Sequence, residues 1–141
     1  MICTFFGHQD APRTILPELE KTIEYLITEK QVNIFYVGNH GNFDAMVKIT
    51  LIKMKKKYPH IFTFVVLAYL PNTRTQEIFD IDTIYPEGIE TVPPRFAIDK
   101  RNRWMIKKAD YVVTYVKYTI GGAIKYKTVS EKAGKTVIEL A

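Results

Sequence analysis

Residues Asn33-Ile34-Phe35-Tyr36-Val37-Gly38-Asn39-His40-Gly41-Asn42-Phe43-Asp44 decide the fold class. An apolar, β-rich run ends in glycines and gives way to a segment with helical spacing. That is the join between a buried strand and a helix. Asn33 to Val37 reads as the strand and Phe43 to Lys57 as the helix. Met46, Val47, Ile49, Leu51, Ile52 and Met54 spread over about two-thirds of the helical turn. Asn42 is the expected N-cap. Asp44 falls in the first turn, where the helix dipole favours an anion.

The same alternation extends in both directions. Ile2 to Phe6, Phe62 to Ala68, Tyr111 to Val116 and Thr136 to Leu140 read as further strands. Leu16 to Thr28, Phe96 to Lys108 and Gly122 to Lys132 read as helices. In the first of these, Leu16, Leu19, Ile23, Leu26 and Ile27 follow i, i+3, i+4 spacing. Pro94 stands near the start of the second, and Ala133-Gly134 closes the third. Several strands are near-continuous apolar runs, as expected when both faces of a parallel sheet are covered. The expected fold is α/β: a three-layer Rossmann-like domain with a mostly parallel five-stranded sheet, in one domain over residues 1–141. Tyr69 to Arg95 is the exception. Pro71, Pro86, Gly88, Pro93 and Pro94 interrupt it, and a connection of that length is functional or mobile.

Composition narrows the class. The chain has 141 residues, 47% of them apolar, which fits a globular domain. A single cysteine, Cys3, excludes an internal disulfide framework and reads as a small buried residue. Twenty basic and fifteen acidic residues give a net charge of +5. That suits an anionic ligand without compelling nucleic acid. The longest apolar run, Ile61 to Leu70, is far short of the roughly 20 residues that span a bilayer, so no membrane partner is expected. The first residues lack a basic flank and a cleavage site, which makes a cytoplasmic address the expectation.

In open α/β sheets, ligands bind outside the carboxyl ends of the strands, where the strand order reverses. Those ends carry Gly7-His8, Gly38-Asn39-His40-Gly41, Ala68-Tyr69-Leu70-Pro71, and Lys117-Tyr118-Thr119-Ile120-Gly121-Gly122. No glycine turn here is a Walker A loop or a Gly-x-Gly-x-x-Gly fingerprint. Gly121 and Gly122 are expected to bring backbone N–H groups to a phosphate at a helix start. Arg101 is expected to fork onto the same anion. Gly7, His8, Gly38 and Asn39 should lie across one crevice, with Asp44 accepting the diol of a ribose. Simpler roles exist for each: the glycines turn the chain, His8 is a loop imidazole, and Asp44 caps its helix. Trp104 shares a helix face with Arg101 and is expected in the core. His60 and the run Lys53, Lys55, Lys56 and Lys57 read as solvated.

Seven stretches, taken in order, are similar to a known family. They are Thr4 to His8, Phe35 to Asn39 with Gly41 and Phe43-Asp44, Val66 to Leu70, Arg101 to Met105, Asp110 to Val116, Gly121 to Ala123, and Gly134 to Ile138. The chain resembles the YpsA-like branch of the SLOG superfamily, which also holds the Lonely Guy nucleotide hydrolases and the DprA-type proteins. The resemblance implies a Rossmann-like domain whose strand ends bind a nucleotide or nucleotide-derived molecule. The hydrolases carry Arg-Lys-x-x-Met and Pro-Gly-Gly-x-Gly-Thr-x-x-Glu stretches. Here Arg101 and the pair Gly121-Gly122 are kept, and Thr128 stands at the glutamate position.

A neutral hydroxyl does not replace a carboxylate that stabilises a ribosyl cation or moves a proton. The expected function is therefore binding, sensing or sequestering of a nucleotide-derived ligand without efficient turnover. No catalytic residue, metal or cofactor is assigned. An N-glycosidase using Asp44 or Glu131 is the alternative, with nucleic-acid binding as in the DprA-type proteins after it. A homodimer or higher homo-oligomer is expected, because the apolar set on Phe43 to Met54 is wider than one core-facing stripe requires.

Overall fold

The computed structural model describes residues 1–69 and 81–140. Six strands form one sheet: β1 (Ile2–Gly7), β2 (Ile34–Val37), β3 (Phe62–Val66), β4 (Asp82–Ile84), β5 (Tyr111–Tyr115) and β6 (Thr136–Glu139). Every pairing is parallel, and the spatial order is β4-β3-β2-β1-β5-β6. Four helices connect them: α1 (Leu16–Thr28), α2 (Gly41–Lys57), α3 (Pro94–Lys108) and α4 (Gly122–Lys132). The order runs outward from β1 to β4, then jumps back across β1 to β5 and on to β6. The reversal falls between β1 and β5, in register from Cys3 opposite Tyr111 to Gly7 opposite Tyr115.

Alternation along the central strands builds the layers. Cys3, Phe5, Phe35, Val37 and Val65 point to the face covered by α1 and α2. Phe6, Val66 and Val112 point the other way and pack on Met105 and Ile106 of α3 and Tyr126 of α4. Each central strand therefore reads apolar on both faces, which is why the runs lack a polar period.

The sheet has six strands rather than the expected five. Asp82–Ile84 is a three-residue edge strand whose Asp82 and Thr83 face solvent, so it carries no apolar signal. It lies inside the Tyr69 to Arg95 connection, with a 3-10 turn at Ile89–Thr91 after it. Leu70 and Pro71 of the expected third strand end lie outside the described residues, as does the rest of 70–80. α2 begins at Gly41 with His40 as its N-cap, not at Phe43 with Asn42 as cap. The Asn42 N–H donates instead to Gln9 O at 2.7 Å, stitching the loop after β1 to the start of α2. Asp44 stays in the first turn as expected, and its Oδ2 accepts the His40 N–H at 3.0 Å.

Gly7 is fixed by packing. A Cβ there would lie 2.3 Å from Cγ of Phe43, whose ring is fully buried under the end of β1. Gly7→Ala is therefore expected to lower stability by about 1–3 kcal/mol, the scale of overpacking in a filled core. Denaturant midpoints measure it. In a Phe43→Leu background the same change should cost less, since the ring that collides is gone.

Candidate functional site

A cleft of about 220 Å³ opens at the reversal of strand order. Its floor is the end of β1, Phe5 to His8. One wall is Gly38 with His40 and Asp44 at the start of α2; the other is Ile98, Arg101, Asn102 and Met105 of α3. Gly122, Ala123 and Tyr126 of α4 close the end. The volume lies just below the roughly 300–1,000 Å³ of sites that enclose a whole small molecule. It has room for one charged moiety, with the remainder of a ligand lying over the rim.

Arg101 is the cleft's buried cation, 4% exposed. Its Nη1 donates to Val66 O at 2.9 Å and its Nε to Asn102 Oδ1 at 2.7 Å. These two bonds fix the plane of the guanidinium, and Nη2 lies nearest Gly38. Burial pulls its pKa down, while Asp44 foremost, with Tyr126 and Tyr69, pushes it up. An arginine stays cationic through such shifts. The positioning continues beyond Asn102. Tyr126 bonds Asn102 and donates its hydroxyl to Asp99 Oδ1 at 2.8 Å. Asp99 also holds Arg103 of its own helix at 3.0 Å and Lys125 of α4 at 3.2 Å. The orientation of Arg101 is thereby linked to the seating of α4 on α3.

Asp44 faces Arg101 across Gly38. A Cβ on Gly38 would lie 2.8 Å from Asp44 Oδ2 and 3.3 Å from Arg101 Cζ and Nη2. Only a residue without a side chain lets both groups approach this strand end. Removal from water raises the Asp44 carboxyl to about 6, against the His40 N–H, Arg101, Lys48 and His40, which lower it. Among the described residues, no direct ion pair joins Asp44 to Arg101.

His8 is 9% exposed, and its Nε2 accepts the N–H groups of Lys117 at 2.7 Å and Tyr118 at 3.2 Å. Nε2 is thus a double acceptor for the two backbone N–H groups. His8 thus ties the end of β1 to the loop leading into α4. Gly121 caps α4 with φ 108°, and no side chain caps the helix. Gly122 and Ala123, whose N–H groups open α4 without intrahelical partners, line the cleft.

The structure brings Gly7, His8, Gly38, Asp44, Arg101 and Gly122 onto one cleft. Gly121 stands just behind Gly122. Asn39 turns away: its Oδ1 accepts from Lys48 Nζ at 2.7 Å. Trp104 is half-buried on Tyr36, with ring centroids 5.3 Å apart. Thr128 is exposed and donates to Ile124 O, and Glu131 is exposed; neither lines the cleft. The sequence reading missed Asn102 and Tyr126. Tyr126 sits one helical turn after Gly122, a spacing that would have placed it on the same face. Among the described residues, no group of three or more His, Cys, Asp or Glu side chains is placed to hold a metal. No described helix is long and apolar enough to cross a membrane.

No protein-family model and no curated protein matches the chain. A solved structure does: DNA processing protein A (DprA) from Streptococcus pneumoniae, with a TM-score of 0.70 at 15% identity. The match covers 97% of this chain and 49% of that one, so the chain spans about half of its structural neighbour. The chain has a DprA-like Rossmann-type fold.

The raised Asp44 carboxyl makes stability depend on pH. Its folded value lies above the unfolded one, so ionising it costs the fold. Stability from this group is greatest below about 3.8 and falls as pH rises through about 6. Asp44→Asn keeps an acceptor for the His40 N–H and removes the charge. The variant should be more stable than the parent by about 1–3 kcal/mol at pH 7–8. Melting curves between pH 4 and 8 should be flatter for it, and equal pH dependence in both proteins would contradict the burial of this charge.

Proposed function

We propose that the chain binds a nucleotide-derived small molecule, ADP-ribose-like or a cyclic nucleotide, in the cleft at the carboxyl ends of β1, β2 and β5. It acts as a sensor, carrier or sequestering protein without efficient turnover. One observation carries this reading: a buried, pre-oriented Arg101 and the start of α4 converge on the point where the strand order reverses. An anion there meets a fixed cation and oriented N–H groups together. Asp44, on the opposite wall, supplies an acceptor for sugar hydroxyls.

The position of Asp44 favours a second reading, cleavage of an N-glycosidic bond. Asp44 would take the part that Thr128 and the exposed Glu131 cannot take from outside the cleft. The similarity in fold to a DNA processing protein supports a third reading, binding of nucleic acid. It requires affinity that falls steeply with salt. The finer affiliation to the YpsA-like branch, a single domain over 1–141, a cytoplasmic address and a homodimer belong to the same proposal. Exposed Ile49 on α2 gives the dimer an apolar contact to use.

Calorimetric titration with AMP, ADP-ribose and cyclic AMP tests the first reading. At least one should bind with a salt dependence too weak for a polyanion. Arg101→Ala should weaken it by about 1.5–3 kcal/mol, the scale of a charge-assisted bond. Arg101→Lys retains the charge but not the fork, and should fall between. Unchanged affinity in a folded Arg101→Ala protein would remove Arg101 from the site. Release of free base at ordinary enzyme rates, about 1–10³ per second, would replace binding with the hydrolase reading.

A further inference from the structure

An aromatic pair extends outward from the cleft, with His8 in its lining and Tyr118 resting on His8. Tyr118 packs on His8 with ring centroids 4.4 Å apart and the rings tilted by 41°. His8 lines the cleft, and Tyr118 is 52% exposed. Exposed loop tyrosines usually move freely, but this one is held at three points. Its N–H donates to His8 Nε2 at 3.2 Å, its ring rests on the imidazole, and its hydroxyl donates to Asp10 Oδ2 at 3.2 Å. The bond to Asp10 raises the phenol pKa, so the hydroxyl keeps its proton. Beyond the ring, Ile120 is 81% exposed, and Gly121-Gly122 then open α4.

These facts have no core-packing explanation. A ring ordered before any ligand arrives costs a bound molecule little further entropy. It lies a few residues from the helix start that meets the cleft. A mononucleotide has the same layout, a phosphate at one end and a planar heterocycle at the other, joined by one ribose.

We propose that the Tyr118–His8 pair is the stacking platform for the planar base of a nucleotide whose phosphate sits at the start of α4. This rests on the cleft reading given above and adds the subsite it lacks. The Tyr118 hydroxyl is engaged by Asp10, so the ring offers its π face and not a hydrogen bond. The platform therefore selects for a planar heterocycle without choosing among bases. A sugar phosphate, lacking the base, gains nothing from it.

Titration of the wild type, Tyr118→Phe, Tyr118→Leu and Tyr118→Ala with AMP and with ribose 5-phosphate separates the two claims. Tyr118→Leu keeps an apolar contact on His8, and circular dichroism checks each fold. The wild type should bind AMP more tightly than ribose 5-phosphate. Tyr118→Leu and Tyr118→Ala should lose about tenfold or more in AMP affinity, the scale of base–aromatic stacking, with ribose 5-phosphate unchanged. Tyr118→Phe should keep both. Wild-type AMP affinity in folded Tyr118→Leu, equal loss of both probes, or equal binding of both probes by the wild type would overturn the platform alone. A wild type that binds neither probe would overturn the platform, and one that binds none of AMP, ADP-ribose and cyclic AMP would overturn the cleft reading with it.

Discussion

Gly38 has no side chain, and two opposed layers of the molecule meet over it. Asp44 reaches the strand end from α2 on one side of the sheet, and Arg101 reaches it from α3 on the other. A methyl group at Gly38 would press on both. They approach without a direct ion pair, each held by other partners, so a carboxyl and a guanidinium face one cleft. Burial has already moved the carboxyl to about 6. A polar ligand that bridges them recovers part of that cost, since a charge removed from water gains most from a partner held at fixed distance.

The surroundings keep this pair rigid. The Asn42–Gln9 bond joins the loop after β1 to the start of α2, and His8 joins the end of β1 to the loop before α4. Asn102, Tyr126 and Asp99 carry the orientation of Arg101 across to α4. Three strand ends and three helices are thus coupled through hydrogen bonds of backbone and side chains, not through apolar packing alone. Such coupling means that the site is formed before a ligand arrives, which reduces the entropy lost on binding.

Much of this was legible in the sequence. The central strands announced themselves because both faces of β1, β2 and β5 are covered, leaving unbroken apolar runs. Gly7, His8, Gly38 and Gly122 followed from one rule about strand ends, Asp44 from the first turn of its helix and Arg101 from its helix segment and the family resemblance, and the cleft gathers them. What the sequence hid was hidden for physical reasons. β4 is three residues at an edge, with two side chains in water, so burial wrote nothing into its pattern. The true start of α2 depends on a bond to Gln9, a residue more than thirty positions away. Asn39 looked like its neighbours in the glycine turn and differs only in finding Lys48. The demand of Phe43 for a glycine at position 7 is a collision in space, which no local spacing encodes.

The central claim is that this cleft holds a nucleotide-derived molecule. Mass spectrometry of the small molecules released when natively purified protein is denatured tests it most directly. The account predicts a phosphate-bearing nucleotide derivative in molar proportion to the wild-type chain, and much less of it from Arg101→Ala purified in parallel. Release of no such molecule from the wild type, or an equal amount from both proteins, would contradict it.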